Sequence, residues 1–368
     1  MAANASEQTP RIATASFPGP RHIKAGVVRQ DAAAGRAEQR RAVIAVADGH
    51  GDPNCRYSDW GAVVASRVAV EVLWQFIGGD EEKVQCRTPG LAPTSEEITQ
   101  AVRRIAYLWR VRTAQLSQLF DQWEISQRID GLAIGGGSAG AEAAAKSALF
   151  DEQALDQIVA AGPDDNRSHL FGTTLLAAAI WKKHLLLLKI GDGEIILSHA
   201  AGEPERWGER SQEKNYSNRT DSLSGNAERF ETELFTLGSA EDRQAAVTRG
   251  CRTINPRFIA LLTDGVSDAY ERQNERDRRE GRSEEVARVF GQRNVPPDSS
   301  DGWSAWCSEV TSAIAKLSQV SGDDATIAAM HLESACWWSL GGESEASAAG
   351  ISPPVDSGGQ PGSNACSR

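Results

Sequence analysis

Three acidic segments of this 368-residue sequence place carboxylates where apolar runs begin or end. Asp48 follows "VIAVA", Asp264 follows "FIALLT", and Asp323 with Asp324 precedes "ATIAAMHL". Short apolar runs of this kind are typical of buried strands. If the first two strands run in one direction and the third runs antiparallel to them, all three carboxylates meet at one rim of the sheet.

Crowded carboxylates repel one another unless a cation lies between them. Hard divalent ions such as Mg²⁺ and Mn²⁺ prefer oxygen ligands, and neighbouring glycines let backbone carbonyls and waters complete an octahedron. Two such ions about 3.5–4 Å apart can hold a hydroxide and a phosphoryl oxygen in line for phosphate ester hydrolysis. Each segment alone is also compatible with an ordinary turn. The ordered set of three is what indicates a site.

The elements that must position these carboxylates are strands and helices in mixed order. Apolar residues at helical spacing predict a helix over 58–77, and a second helix is expected from Thr94 to about Trp123, opened by a Thr94–Glu97 capping box. "GTTLLAAAIW", "HLLLLKI" and "EIILSHA" then predict a strand meander. This order favours packed sheets covered by helices over strict βαβ alternation.

Composition restricts the class of protein. The formal net charge of −11 argues against a chain that grips nucleic acid or an anionic membrane. The longest apolar run is far too short to span a bilayer, and the first twenty residues lack a signal-peptide core. Six cysteines are scattered without CxxC pairs, which favours free thiols in the cytoplasm over zinc or disulfides.

The pattern resembles the metal-dependent Ser/Thr protein phosphatases of the type 2C family, in the form seen in its bacterial branch. The resemblance spans about residues 19 to 332 and rests on "HIKAGVVRQDAAAG", "VADGHG", "FGTTLLAAAI", "LLKIGDGEIIL", "LLTDGVSDAY" and "GDDATIAAMHL". It implies an α+β fold, namely a four-layer α-β-β-α sandwich of two antiparallel sheets flanked by helices. That layering agrees with the order of the predicted elements.

The family resemblance also implies metal ligands. Asp48 would bridge two Mn²⁺ or Mg²⁺ ions, and the Gly49 carbonyl would bind the second ion. Asp264 and Asp323 would complete the shell of the first ion, while Asp31 would act through a metal-bound water. These assignments are expectations carried over from the family pattern.

Further roles follow from the same resemblance. His50 matches the proposed general acid for the leaving hydroxyl, and a histidine titrates in the range that suits proton donation. Asp192 and Asp268 match positions that hold a third ion in many members. For Asp192 a plain hairpin turn in "KIGDGEI" is an equally good interpretation.

Two departures from the family pattern concern the same region. Gln30 stands where many members have Glu, and the phosphate-binding Arg of the family falls on Gly26. Arg29 and Arg21 are the candidates chosen to bind phosphate in its place, with Lys24 and Arg56 as further alternatives. Reduced or altered activity is one expectation from these changes.

The chain is expected to form one phosphatase-like domain over 11–335. Within it, 124–168 is predicted to be a loop and helix insertion, and 201–229 a flap-like polar excursion or a plain solvated loop. Residues 336–368 have almost no large apolar side chains, which predicts a disordered tail.

The expected function is hydrolysis of phosphoserine and phosphothreonine in proteins, through a dinuclear Mn²⁺ or Mg²⁺ centre and metal-bound hydroxide. The expected partner is a phosphorylated protein, either a Ser/Thr kinase or its target, and neither nucleic acid nor a membrane. Alternatives are a catalytically silent module of the same fold and a small-molecule phosphatase. A dinucleotide-dependent oxidoreductase is a weaker alternative, because "IGGGSAG" has GxGxxG spacing but follows a polar segment.

Overall fold

The computed structural model describes residues 9–78, 92–131, 166–199, 204–208, 222–224, 229–238, 252–273 and 300–332. Within these ranges, no helix combines the length and the apolar character needed to cross a bilayer. All statements about the structure below concern these residues.

The described strands are β1 (Arg11–Phe17), β2 (Ala32–Glu38), β3 (Arg41–Ala47), β4 (Leu175–Trp181), β5 (His184–Ile190), β6 (Glu194–His199), β7 (Glu205–Trp207), β8 (Glu231–Leu237), β9 (Arg252–Ile254), β10 (Pro256–Leu262) and β11 (Ala325–His331). The α-helices are α1 (Pro20–Ala25), α2 (Ser58–Phe76), α3 (Ser95–Gly131), α4 (Asp264–Gln273) and α5 (Ser300–Ser321). A 3₁₀ helix covers Asn166–Phe171.

The strands form two sheets. A six-stranded sheet has the order β2-β3-β4-β5-β8-β9, and a five-stranded sheet has the order β1-β11-β10-β6-β7. Neighbouring strands pair antiparallel except β8 and β9, which pair in parallel. The predicted pair of antiparallel sheets is therefore confirmed.

Three apolar layers hold the sheets and helices together. The inner layer lies between the sheets and includes Ile44, Leu176 and Leu261. Beyond the six-stranded sheet, Val43 and Ala45 belong to a second cluster shared with α2 and α3. Beyond the five-stranded sheet, a third cluster joins β10 and β11 to α4 and α5. The expected four-layer α-β-β-α sandwich is thus confirmed, and burial of both strand faces explains the uninterrupted apolar runs in the sequence.

The predicted strand meander is wrong at its last step. β4 and β5 pair as a hairpin, but β5 belongs to the six-stranded sheet and β6 to the five-stranded sheet. The Gly191–Asp192–Gly193 segment therefore crosses from one sheet to the other and is not a hairpin turn. A Cβ atom on Gly193 would lie 2.6 Å from the Leu262 carbonyl oxygen, so glycine is required by this close approach.

The helix ends follow the sequence in part. The capping box is confirmed, since the Thr94 amide donates to Glu97 Oε2 (2.7 Å) and the Glu97 amide donates to Thr94 Oγ1 (3.2 Å). α3 continues to Gly131, beyond the predicted end near Trp123. α2 begins at Ser58 without a side-chain cap.

Several predicted segments lie outside the described residues. They are the tail at 336–368, positions 132–165 of the insertion, most of the excursion at 201–229, and the glycines of "IGGGSAG".

Candidate metal centre

Asp48 follows β3 and is fixed through its backbone. Its amide donates to Thr174 Oγ1 (3.1 Å), while its carbonyl oxygen accepts from the Thr174 amide (2.8 Å) and from Thr173 Oγ1 (2.8 Å). These contacts with the segment entering β4 satisfy the Asp48 backbone without its carboxylate. The Asp48 carboxyl group therefore has no part in fixing its own backbone.

Asp264 begins α4, two residues after the end of β10 at Leu262. A carboxylate in the first turn of a helix is favoured by the partial positive charge at that end. The next residue, Gly265, packs directly on the chain before β11, because a Cβ atom there would lie 1.7 Å from the Asp324 carbonyl oxygen. Close contact between α4 and β11 thus sets the position of Asp264.

Asp192 lies on the segment that crosses between the sheets. The Lys189 ammonium donates to the Gly193 carbonyl oxygen (2.8 Å) and braces this segment. The crossing brings Asp192 to Asp48 and Asp264, and these three residues each offer a carboxylate oxygen such that all three oxygens lie within 4.8 Å of one another. We call Asp48, Asp192 and Asp264 the Asp cluster.

Asp31 lies directly beside the Asp cluster. Its side chain is buried, with 2% of the residue exposed, and Oδ2 accepts a hydrogen bond from Thr263 Oγ1 (2.7 Å). The same carboxyl group also hydrogen-bonds Asp48. A fourth acidic side chain is therefore in contact with the site.

The electrostatics of these carboxyl groups are unfavourable without a cation. Burial raises the pKa of Asp31 to about 7, against hydrogen bonds from Asp48 and Thr263 that lower it. Burial, followed by the charge of Asp192, raises the pKa of Asp264 to about 6. The pKa of Asp48 is raised well above its usual range by burial and by the charges of Asp31 and Asp264. Burial is the largest cause of each shift and neighbouring carboxylates add to it, so ionising these groups is unfavourable here.

His50 lies two residues after Asp48 and is half-buried. Its amide donates to the Gly172 carbonyl oxygen (3.0 Å), and a Cβ atom on Gly172 would lie 2.8 Å from the His50 ring. Ring atom Nε2 is buried and has no hydrogen-bond partner among the described residues. Burial lowers the pKa of His50, while the charges of Asp192 and Asp52 oppose that shift.

The two aspartates before β11 differ in environment. The side chain of Asp323 is 47% exposed, and its charge helps to raise the pKa of Asp264. Asp324 is buried at 3% exposure and accepts hydrogen bonds from the amides of Gly19 (2.8 Å) and Gln30 (2.5 Å). The sequence placed Asp324 beside Asp323 before the strand but indicated no separate role for it.

The remaining predicted ligands lie around the Asp cluster. Asp268 lies one turn after Asp264 on α4, and its charge contributes to the raised pKa of Asp264. Gly49 is buried, and its amide donates to the Gln30 carbonyl oxygen (3.2 Å). Thr263, which the sequence did not single out, connects β10 to Asp31. The one feature of the sequence that pointed to Thr263 was its position as a polar residue directly before Asp264, at the end of a strand.

The two arginines predicted to bind phosphate are exposed and engaged elsewhere. Arg29 donates from Nε to the Asp31 carbonyl oxygen (3.1 Å) and from a terminal nitrogen to the Ser16 carbonyl oxygen (3.2 Å). The Arg21 side chain lies over Gly322, with Nε 3.0 Å from where a Cβ atom of Gly322 would stand. Within the described residues, no contact joins either guanidinium to the Asp cluster.

The donor set fits Mg²⁺ or Mn²⁺. The three carboxylate oxygens of the Asp cluster, which lie within 4.8 Å of one another, are the oxygen ligands that hard divalent cations prefer.

Comparison with known proteins agrees with this chemistry. The model of the family described as protein phosphatase 2C matches residues 18–297. No curated protein matches the chain by sequence.

Solved structures with a similar arrangement include the catalytic domain of the serine threonine protein phosphatase PstP in complex with two manganese ions (15% identity; 88% of this chain and 99% of that chain; TM-score 0.42). Others are the serine/threonine phosphatase Stp1 from Staphylococcus aureus (11%; 90% and 100%; 0.44) and RsbX in complex with magnesium (11%; 89% and 97%; 0.38). Since all three TM-scores lie below 0.5, the family assignment rests on the family model.

Proposed function

The chain belongs to the protein phosphatase 2C family, and we propose that this metal-dependent protein serine/threonine phosphatase hydrolyses phosphoserine and phosphothreonine at a dinuclear Mn²⁺ or Mg²⁺ centre. The observation that carries the proposal is the Asp cluster, in which three carboxylate oxygens lie within 4.8 Å of one another. The raised pKa values of Asp31 and Asp264 support it, because burial and neighbouring carboxylates both disfavour negative charge here and a cation would offset that cost.

In this proposal Asp48, Asp264 and Asp323 would hold the ions together with the Gly49 carbonyl, and Asp31 would support them from beside the cluster. Asp192, which joins Asp48 and Asp264 in the cluster, would hold a third ion with Asp268. When bound, such ions lower the pKa of a water ligand so that hydroxide is available near neutral pH, and they neutralise charge on the phosphoryl oxygens.

His50 is proposed to give a proton to the leaving serine or threonine oxygen. Its buried Nε2 has no hydrogen-bond partner among the described residues, so no contact there commits this nitrogen to a structural role. Arg29 and Arg21 remain the candidates for phosphate binding. The Arg29 guanidinium would have to leave the Asp31 and Ser16 carbonyl oxygens to reach a substrate, and the Arg21 side chain would have to leave its place over Gly322.

Gln30 has a role that its place in the family pattern does not suggest. Its side-chain amide donates to Ser58 Oγ (2.8 Å) at the start of α2, so it braces the segment before Asp31. This contact supports a structural role for Gln30. The presence of Gln where many family members have Glu is therefore not by itself a reason to regard the protein as catalytically silent.

The phosphoprotein substrate and its setting complete the proposal. We propose that the substrate is a Ser/Thr kinase or a target of one, and that the phosphatase acts in signalling in the cytoplasm. Cys55 and Cys307, the free cysteines of the described residues, suit a reducing compartment. The proposed domain extends over 11–335.

The test is a phosphatase assay with a phosphoserine peptide, with added Mn²⁺ or with EDTA. Wild-type protein should turn over only with the metal, and Asp264→Asn should lower kcat by about 100-fold or more, as loss of a charge-stabilising group does. Asp121→Asn is the matched control, because it removes one charge from an exposed ion pair with Arg167 on the protein surface. Turnover in EDTA, or full activity in Asp264→Asn, would overturn the proposal.

A further inference from the structure

The Asp324 carboxylate contacts three residues of the segment that precedes β2. We call residues 19–31 the N-terminal arm. The Gly19 amide donates to Asp324 Oδ1 (2.8 Å), and the Gln30 amide donates to Asp324 Oδ2 (2.5 Å). Between them, His22 Nδ1 lies 2.9 Å from Asp324 Oδ1 in an electrostatic contact that is not aligned as a hydrogen bond. One carboxylate therefore holds both ends of the arm.

These contacts are important because Asp324 is buried and its carboxylate is not solvated by bulk water. Only 3% of the residue is exposed, and a buried carboxylate is tolerated when hydrogen bonds replace its water. Both oxygens accept from backbone amides of the N-terminal arm, so the carboxylate is occupied within the protein. Asp324 thus differs from Asp323, whose side chain is 47% exposed and lies 3.5 Å from His22 Nε2.

The N-terminal arm connects Asp324 to the Asp cluster. Gln30, whose amide Asp324 binds, accepts the Gly49 amide on its own carbonyl oxygen (3.2 Å). The next residue is Asp31, which hydrogen-bonds Asp48. A shift of Gln30 would therefore move both a proposed carbonyl ligand and a carboxylate of the site.

We propose that Asp324, with His22 beside it, is a positioning residue that fixes the N-terminal arm and so sets the geometry with which Asp31, Asp48 and Gly49 receive metal. The part that concerns metal rests on the proposed function. Asp324 acts through Gln30 and does not bind the ion. Outer partners of this kind typically change metal affinity by about 10–100-fold when they are removed.

Asp324→Asn tests this role with minimal change of shape. Asparagine replaces one carboxylate oxygen with an amide NH₂, which cannot accept a hydrogen bond from a backbone amide. Thr326→Val is the matched control, because Thr326 is also fully buried near the start of β11 and its hydroxyl contacts Ser16 in the neighbouring strand. Both variants are isosteric, and both remove a buried polar contact between β11 and the N-terminal region.

Two measurements test the positioning role of Asp324 separately from the proposed phosphatase function. Hydrogen exchange of the metal-free protein should show the Gln30 and Gly19 amides exchanging about tenfold faster or more in Asp324→Asn, and unchanged in Thr326→Val. Calorimetric titration with Mn²⁺ should show affinity about 10–100-fold weaker in Asp324→Asn alone. If Asp324→Asn does not fold, His22→Ala should show smaller changes in the same direction.

The outcomes are distinguishable. Unchanged exchange and unchanged Mn²⁺ affinity in Asp324→Asn would overturn the positioning role while leaving the phosphatase proposal intact. Equal loss of Mn²⁺ affinity in Thr326→Val would overturn it too, because the effect would then be one of general stability. If wild-type protein binds no Mn²⁺, the proposed function fails, and the exchange of the Gln30 amide alone decides whether Asp324 holds the arm.

Discussion

Thr263 Oγ1 donates to Asp31 Oδ2 across 2.7 Å, and so joins residues that are 232 positions apart in the chain. The same hydroxyl oxygen accepts the Thr326 amide (3.0 Å), so Thr263 is itself held by β11. Asp31 stands at the six-stranded sheet and Thr263 at the five-stranded sheet. The acidic site is therefore built across the boundary between the sheets.

The stability of the metal-free protein should depend on pH. Burial holds the pKa of Asp31 at about 7 and that of Asp264 at about 6, above the ordinary value of 3.8. Since the folded state binds these protons more tightly than the unfolded chain, the free energy of unfolding should fall as pH rises from about 4 to about 7. Thermal unfolding in EDTA should give a lower Tm at about pH 8 than at about pH 5.5. Saturating Mn²⁺ should reduce the difference, and equal Tm values in EDTA would contradict the expectation.

Asp264→Asn should stabilise the metal-free protein although it impairs function. At about pH 8 the substitution removes a buried charge that its neighbours repel, so Tm in EDTA should rise by about 1–2 °C, the shift that 1 kcal/mol gives at about 2.1 cal/mol/K of unfolding entropy per residue. Added Mn²⁺ should raise Tm of the wild type much more than that of the variant. If Asp264→Asn were less stable than wild type in EDTA, charge repulsion would not be the main effect of the Asp264 carboxylate on the stability of the metal-free protein.

Gly193→Ala should damage the crossing between the sheets. The new Cβ atom would lie 2.6 Å from the Leu262 carbonyl oxygen and 2.7 Å from Leu176 Cδ1, so the segment must shift. We expect a loss of about 1–3 kcal/mol in the free energy of unfolding by denaturant titration, and weaker Mn²⁺ binding as Asp192 moves. Gly51→Ala is the control, because its Cβ atom would have a single neighbour, Gln30 Oε1, at 3.8 Å. Similar losses in both variants would rule out the steric explanation.

His50→Gln should affect substrates according to their leaving group. A serine alkoxide needs a proton to leave, whereas a nitrophenolate does not, so kcat should fall by about 10²-fold or more with a phosphoserine peptide and far less with p-nitrophenyl phosphate. His169→Gln is a matched control on an exposed residue nearby. Equal losses on the two substrates would remove His50 from the role of proton donor.

The architecture could be predicted because two features that indicate it are local in the sequence. Uninterrupted apolar runs indicated buried strands, and the order of the helices indicated two outer layers. The convergence of Asp48 and Asp264 was also predicted, but on one sheet, whereas β3 and β10 lie in different sheets. A strand buried on both faces carries no alternation that would identify its partner, so the sheet membership of β6 and β10 could not be predicted.

The different environments of the two acidic residues before β11 could not be predicted from the sequence either. Asp323 and Asp324 are chemically identical, and only the tertiary contacts with Gly19 and Gln30 distinguish the buried one. Those partners are about 300 residues away along the chain. No local pattern could have assigned different roles to the two carboxylates.

The crossing at Gly191–Gly193 gives the protein an unusual mechanical property. Asp48 comes from one sheet and Asp264 from the other, while Asp192 lies on the chain between them. Sliding of one sheet over the other would therefore change the distance between the Asp48 and Asp264 carboxylates. The apolar layer between the sheets, which includes Ile44 and Leu261, resists such sliding, so uncharged side chains help to set the spacing of the acidic site.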